Sequence, residues 1–152
     1  MMTGRQLTGL LVRDRTSGKK AGRISDIYAD QHSGQIRGFG VAGDGFLSRP
    51  MLLPASAVES IGLNGFIADT SALKRLSARN DRVSDWRGAS LRSELGRELG
   101  VVSDVILDEG RVAALEISGG LLSDVSERRS LVSWDSVRPD AEGGFIRYQQ
   151  GR

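Results

Sequence analysis

The stretch Gly22-Arg23-Ile24-Ser25-Asp26-Ile27 returns 78 residues later as Gly100-Val101-Val102-Ser103-Asp104-Val105. The surrounding sequence repeats in the same order, because residues 35–41 match 111–117, 52–58 match 131–137, and 65–67 match 144–146, at offsets of 76 to 79. The offset changes only in turn regions, which tolerate insertions. Solenoid repeats are shorter, at about 20–50 residues. The sequence therefore predicts two copies of one small domain.

The repeat also sets the domain boundaries. We predict a first copy over 1–70, a linker over 71–80 and a second copy over 81–152. Leu73 and Leu76 are spaced by three residues, which is compatible with one or two helical turns in the linker. Each copy is close to the lower size limit of an independently stable domain. We therefore expect the two copies to pack on each other or on a partner.

Short apolar runs separated by glycine-rich turns predict an all-β fold. The chain has 20 glycines and 3 prolines, and no long stretch with helical periodicity. Small sheets commonly lose their exposed edges by closing, so each copy is expected to form a closed or nearly closed β-barrel. The apolar positions common to both copies should face the two interiors. They are Ile24, Ile36, Leu53, Val58 and Ile67 in the first copy, and Val102, Val112, Val132, Val137 and Ile146 in the second.

Composition excludes several classes of function. The absence of cysteine removes disulfides, thiol catalysis and cysteine metal sites. The start of the chain lacks the apolar run of a signal peptide, and no segment is long enough to span a bilayer. We expect a cytoplasmic protein that reaches a membrane only through a partner. The net charge is +2 and the arginines are scattered, so nucleic-acid binding is not expected.

The ordered glycines, aspartates and apolar residues of each copy resemble the PRC-barrel domain. The first copy carries this pattern in Leu7-Thr8-Gly9-Leu10, Gly22-x-Ile24-x-Asp26-Ile27, Gly34-x-Ile36 and Leu53-Pro54. The second copy carries it in Gly96-Arg97, Gly100-x-Val102-x-Asp104-Val105, Gly110-x-Val112 and Val132-x-x-Asp135-x-Val137. The resemblance spans about 140 residues as a tandem pair.

This resemblance implies two six-stranded barrels that serve in assembly. Family members include the cytoplasmic domain of the photosynthetic reaction centre H subunit and the C-terminal domain of a ribosome maturation protein. Tandem members in archaea bind a membrane-anchoring cell-division protein. The resemblance thus implies a protein partner, either membrane-anchored or part of a ribosomal assembly, and it leaves a homo-oligomer open.

The sequence offers only weak candidates for catalytic or metal-binding residues. His32 is the only histidine and lies in a turn that the second copy shortens, so a turn residue is expected there. Asp26 and Asp104 recur inside apolar strands, where a bulge with the carboxylate bound to backbone N–H groups is the favoured interpretation over a repeated ligand site. The acidic pairs of the second copy, Glu94 with Glu98 and Asp108 with Glu109, are expected to be solvated surface. We expect no catalytic residue, no cofactor and no metal.

Two loops, 44–49 and 121–129, are better candidates for function because they place apolar side chains beside arginines. This mixture is enriched at protein interfaces. Trp134, which follows the second loop, is predicted to face the other barrel. The predicted contact residues are Phe46, Leu47, Arg49, Leu121, Leu122, Arg128, Arg129 and Trp134. The sequence therefore predicts a non-catalytic adaptor or scaffold built from two barrels. The alternative is a ribonucleoprotein or RNA-processing assembly factor.

Overall fold

Two curled sheets, each built mainly from one repeat, make up the chain in a computed structural model that describes residues 1–43, 49–76, 81–119 and 130–148. Strand β1 (Met2–Thr3) and a single helical turn, α1 (Gly4–Leu7), come first. The first repeat then forms β2 (Leu11–Asp14), β3 (Lys20–Ala29), β4 (Ile36–Ala42), β5 (Met51–Pro54), β6 (Val58–Gly62), β7 (Gly65–Ala68) and β8 (Lys74–Arg75). The second repeat forms β9 (Ser90–Ser93), β10 (Glu98–Asp108), β11 (Arg111–Ser118), β12 (Ser130–Ser133), β13 (Val137–Pro139) and β14 (Phe145–Arg147).

The two repeats share one topology. The first sheet has the strand order β6-β7-β2-β3-β4-β5-β8, and the second has β13-β14-β9-β10-β11-β12. Neighbours are antiparallel except for one parallel pair in each repeat, β2 with β7 and β9 with β14. Six strands of each repeat therefore correspond one to one, which confirms the all-β tandem-barrel prediction. A 3-10 turn at Thr70–Ala72 spans the predicted start of the linker, and β8 then pairs with the edge of β5. The helical turns expected around Leu73 and Leu76 are therefore wrong, because these residues flank a short strand.

The β3–β4 hairpin shows how the sequence fixes a turn. The Oδ1 of Asp30 accepts hydrogen bonds from the backbone nitrogens of His32 and Ser33, at 2.7 and 2.9 Å. These bonds, the one from Ser33 above all, lower the pKa of Asp30 to about 2. Gly34 closes the turn at a φ of +76°, which favours glycine. His32 is exposed, as expected for a turn residue.

The buried apolar side chains of both repeats form one contiguous cluster. Most predicted interior positions are confirmed, but β7 and β14 are in the opposite phase from the prediction. Phe66 and Phe145 are each 1% exposed, whereas the neighbouring Ile67 and Ile146 are only half-buried. Side chains alternate between the two faces of a strand, so a phase error of one residue reverses the whole strand. Val58, at the first residue of β6, is half-buried and packs against the core.

The two repeats exchange their first segments. Strand β1 pairs antiparallel with β10 of the second repeat, with Met2 opposite Leu107. In the equivalent contact, Arg82 of the second repeat forms a bridge with Tyr28 of β3. In each repeat, the segment that precedes the barrel therefore pairs alongside the long strand of the other repeat.

The β3–β4 and β10–β11 hairpin turns also hydrogen-bond to each other. The backbone nitrogen of Ile36 donates to the carbonyl of Gly110 at 3.1 Å, and that of Val112 donates to the carbonyl of Gly34 at 2.7 Å. Gly34 and Gly110 are equivalent in the repeat, and so are Ile36 and Val112. The contact between the repeats is thus reciprocal, as in a two-fold arrangement.

Candidate interaction surfaces

The recurring aspartates lie at a β-bulge in each long strand. The register shifts between Ile24 and Asp26 in β3 and at the equivalent place in β10. Each Oδ1 accepts a hydrogen bond at 2.8 Å from the backbone nitrogen of the next residue, Ile27 or Val105. The prediction of a bulge with a backbone-bound carboxylate is confirmed.

Both aspartates also bind the first segment of the other repeat, which the sequence did not reveal. The carboxylate of Asp104, with no exposed surface, accepts from the backbone nitrogen of Arg5 at 3.2 Å and from its Nε at 2.9 Å. In the equivalent contact, Asp26 accepts from the backbone nitrogen of Ser84 at 3.3 Å. The hydrogen bond to Asp104, assisted by the charge of Glu116, raises the pKa of Arg5 above its usual value. These carboxylates connect the repeats.

The other titratable residues do not converge on a site. Among residues 1–43, 49–76, 81–119 and 130–148, no three histidine, aspartate or glutamate side chains lie close enough to hold a metal ion. Glu98 accepts a hydrogen bond from Ser90 on the surface, and Asp108 with Glu109 forms the β10–β11 turn. No constellation for acid–base chemistry is visible in the described part of the chain.

The predicted contact residues fall largely outside the structure that can be described. Phe46, Leu47, Leu121, Leu122, Arg128 and Arg129 lie outside the described residues. Arg49 is exposed just before β5.

Trp134 is not a surface residue. Its side chain is 3% exposed, so the structure does not present it to an external partner. It stacks on Trp86 with ring centroids 5.5 Å apart, and both rings meet Phe145 edge to face. It also contacts Gly34 of the first repeat, which agrees with its predicted orientation towards the other barrel.

A surface that sequence reasoning missed lies at the edge of the second sheet. Within the described residues, β12 pairs with β11 alone, whereas the equivalent strand β5 pairs with both β4 and β8. Leu131, in the middle of β12, is 63% exposed. A groove of about 900 Å³ lies between β12 and the β9–β10 turn, lined by Leu95, Leu99, Leu131, Ser136, Arg147 and Tyr148.

Comparison with known families agrees with this architecture. The model of the PRC-barrel domain matches the chain twice, over residues 1–75 and again over 79–148. The chain therefore belongs to the PRC-barrel family and carries the domain in tandem. A search of curated proteins found no match. Across the described residues, no helix is long and apolar enough to cross a bilayer.

Proposed function

We propose that the protein is a non-catalytic, cytoplasmic adaptor that binds another protein through the edge of β12 and the groove beside it. The observation that carries this proposal is the difference between the two repeats at this edge. In the first repeat, β8 covers β5, with Met51 opposite Arg75 and Leu52 opposite Lys74. In the second repeat, the described residues provide no such strand.

The first repeat indicates what kind of ligand would fit. The segment that covers β5 is a 3-10 turn followed by two residues of antiparallel strand, and Leu73 between them packs against the core. A partner segment with the same features would hydrogen-bond to β12 and place an apolar side chain in the groove. Addition of a strand to an exposed sheet edge is a recurrent mode of peptide recognition, in which the main chain supplies affinity and side-chain pockets supply specificity.

The surface chemistry of the edge supports the same proposal. An exposed edge strand that carries a large apolar side chain is prone to pair with other chains unless it is covered or charged. Leu131 on β12 is such a side chain, and Leu95 in the adjacent turn is 96% exposed. Leu52, the equivalent of Leu131 in the first repeat, lies beside β8 and is half-buried, so the leucine next to a paired edge is less exposed than Leu131.

The experiment combines partner recovery with one edge variant. Tagged protein is used to recover partners from the native cell, and the partner is identified by mass spectrometry. Affinity for the purified partner is then measured for the wild type and for Leu131→Asp. Leu63→Asp is the matched control, because Leu63 is 84% exposed in the β6–β7 turn, away from the groove. Interface anchors typically cost about 2 kcal/mol or more on truncation, so Leu131→Asp should weaken binding at least about thirtyfold while the control leaves it unchanged.

Two results would contradict the proposal. If Leu131→Asp binds as tightly as the wild type, the β12 edge is not the contact. If RNA is recovered and its affinity falls steeply with salt, as expected for phosphate contacts, the protein is a ribonucleoprotein assembly factor. Urea unfolding of both variants verifies that the fold is retained.

A further inference from the structure

The two repeats differ at one place in the core, where two tryptophans of the second repeat are replaced by smaller side chains in the first. Trp86 and Trp134 of the second repeat occupy the positions of Leu7 and Ala55 in the first. The local backbone is the same at both places, because Trp134 begins the 3-10 turn at Trp134–Ser136 and Ala55 begins the turn at Ala55–Ala57. The second repeat therefore shows what this site in the fold can hold.

In the second repeat the site is filled. The Trp86 and Trp134 rings stack at an interplanar angle of 11°. The hairpin turn of the first repeat covers them so closely that a Cβ placed on Gly34 would lie 2.4 Å from the Nε1 of Trp134. Only a residue without a side chain fits there.

In the first repeat the equivalent site is a cavity of about 400 Å³. Gly110 is the equivalent of Gly34 and has a similar φ of +80°, yet a Cβ placed on it would meet no described heavy atom within 4 Å. The wall is mostly apolar: Leu7, Ile36, Phe39, Ala55, Val58 and Leu107 line it together with Met1, Met2 and Ile61. Ligand pockets commonly fall in the range of about 300–1,000 Å³ with predominantly apolar linings.

The rim of the cavity is acidic. Glu59, Asp108 and Glu109 are among the residues that line it, and no lysine or arginine is. Met1 also lines it and carries the amino terminus, so three carboxylates stand against one ammonium group. Within the described part of the chain, none of these three carboxylates forms an ion pair with a lysine or an arginine. A ligand that enters the cavity would therefore gain from positive charge beside its apolar part.

We infer that this cavity binds a tryptophan side chain from a basic segment of a partner protein. The stacked rings of the second repeat supply the template for the indole, and the acidic rim selects the flanking residues. This inference rests on the proposed adaptor function and adds a second contact point, on the first repeat, to the edge of β12. Aromatic anchors buried in pockets dominate the energetics of many protein interfaces.

The test uses a synthetic peptide, acetyl-Lys-Lys-Trp-Lys-Lys-amide, and the same peptide with alanine in place of tryptophan. Binding is followed by ¹H–¹⁵N correlation spectra and calorimetry on the full chain. The tryptophan peptide should shift the amides of Gly110 and Ala55 and bind at least about tenfold more tightly than the alanine peptide. A peptide with glutamate in place of lysine should bind more weakly.

The decisive variant fills the cavity with the residue that the second repeat uses. Ala55→Trp should abolish binding of the tryptophan peptide, and Ala141→Trp, which makes the same substitution at an exposed turn of the second repeat outside the groove, should leave it unchanged. If Ala55→Trp does not fold, as judged by urea unfolding, the double variant Glu59→Lys with Glu109→Lys serves instead. It keeps the apolar wall and should weaken binding of the basic peptide several-fold, more so at low salt.

The outcomes separate this inference from the proposed function. Equal binding of the tryptophan and alanine peptides, or full binding by a folded Ala55→Trp variant, would overturn the inference. A natural partner that responds to Leu131→Asp but not to Ala55→Trp would leave the adaptor function standing and remove the cavity from it.

Discussion

Removing the carboxylate of Asp104 should destabilise the protein more than removing the equivalent carboxylate of Asp26. The Asp104 side chain has no exposed surface, and it accepts hydrogen bonds from the backbone nitrogens of Val105 and Arg5 and from the Nε of Arg5. Asp26 accepts from the backbone nitrogens of Ile27 and Ser84 and from the Ser84 hydroxyl at a half-buried position, where water can replace a lost acceptor. The two substitutions thus compare equivalent carboxylates, of which Asp104 is fully buried and paired with arginine and Asp26 is half-buried and hydrogen-bonded to serine.

The expected magnitude follows from the donors that each substitution leaves unpaired. A buried donor without an acceptor costs about 1–3 kcal/mol. Asp104→Ala leaves two backbone N–H groups without their acceptor, so the free energy of unfolding should fall by about 3 kcal/mol. For Asp26→Ala, where solvent has access, the loss should be about 1 kcal/mol.

Urea unfolding measures both losses. The midpoint should shift while the slope stays constant, since neither substitution changes the surface exposed on unfolding. The loss from Asp104→Ala should be smaller in an Arg5→Ala background, because the ion pair with Arg5 is then already absent and only the longer pair with Arg87 remains. Equal losses at the two aspartates would refute the argument from burial. A loss below about 1 kcal/mol at Asp104 would show that the contact between the repeats does not depend on this carboxylate.

Two further predictions concern turns. Hydrogen bonds from backbone N–H groups, above all that of Ser17, hold the pKa of Asp14 well below its usual value of 3.8. The stabilisation is therefore complete above about pH 4 and is lost as the pH falls through the lowered pKa, so an acid titration of unfolding free energy should show a weaker decline in Asp14→Asn. Gly34→Ala should lower the unfolding midpoint more than Gly110→Ala, because both adopt positive φ but only the first places a Cβ against Trp134. Equal midpoints would mean that the Trp134 ring moves aside freely.

The sequence predicted the features that the two repeats share. The tandem barrels follow from the recurrence of 22–27 at 100–105, and the bulge follows from an aspartate placed inside an apolar strand. Such local features are visible because each imposes its own pattern on neighbouring residues. The inward phase at Phe66 and Ile67 was not predictable, since two adjacent apolar residues leave the alternation undefined.

The contacts between the repeats could not be predicted for a different reason. Strand β1 has only two residues, so it shows no periodicity, and it pairs with a strand about a hundred positions away. In the sequence repeat, Trp86 is equivalent to Leu7 and Trp134 to Ala55. Only the structure shows that the smaller side chains of the first repeat leave a cavity. The unpaired edge of β12 among the described residues could not be predicted, because β8, the strand that pairs with the equivalent edge of β5, lies within the segment predicted as a linker.

The reciprocal exchange between the repeats has a consequence for the ancestry of the fold. A chain with a single copy could satisfy the same contacts only by associating with a second, identical chain, which would give an isologous dimer. Gene duplication and fusion would convert that dimer into one polypeptide and release the two halves from the requirement to be identical. One half could then gain a pair of indole rings while the other kept a cavity. One half could also gain an edge strand, β8, for which the described residues of the other half show no counterpart. A fused pair can become asymmetric in this way, whereas a homodimer cannot, because its two chains have the same sequence.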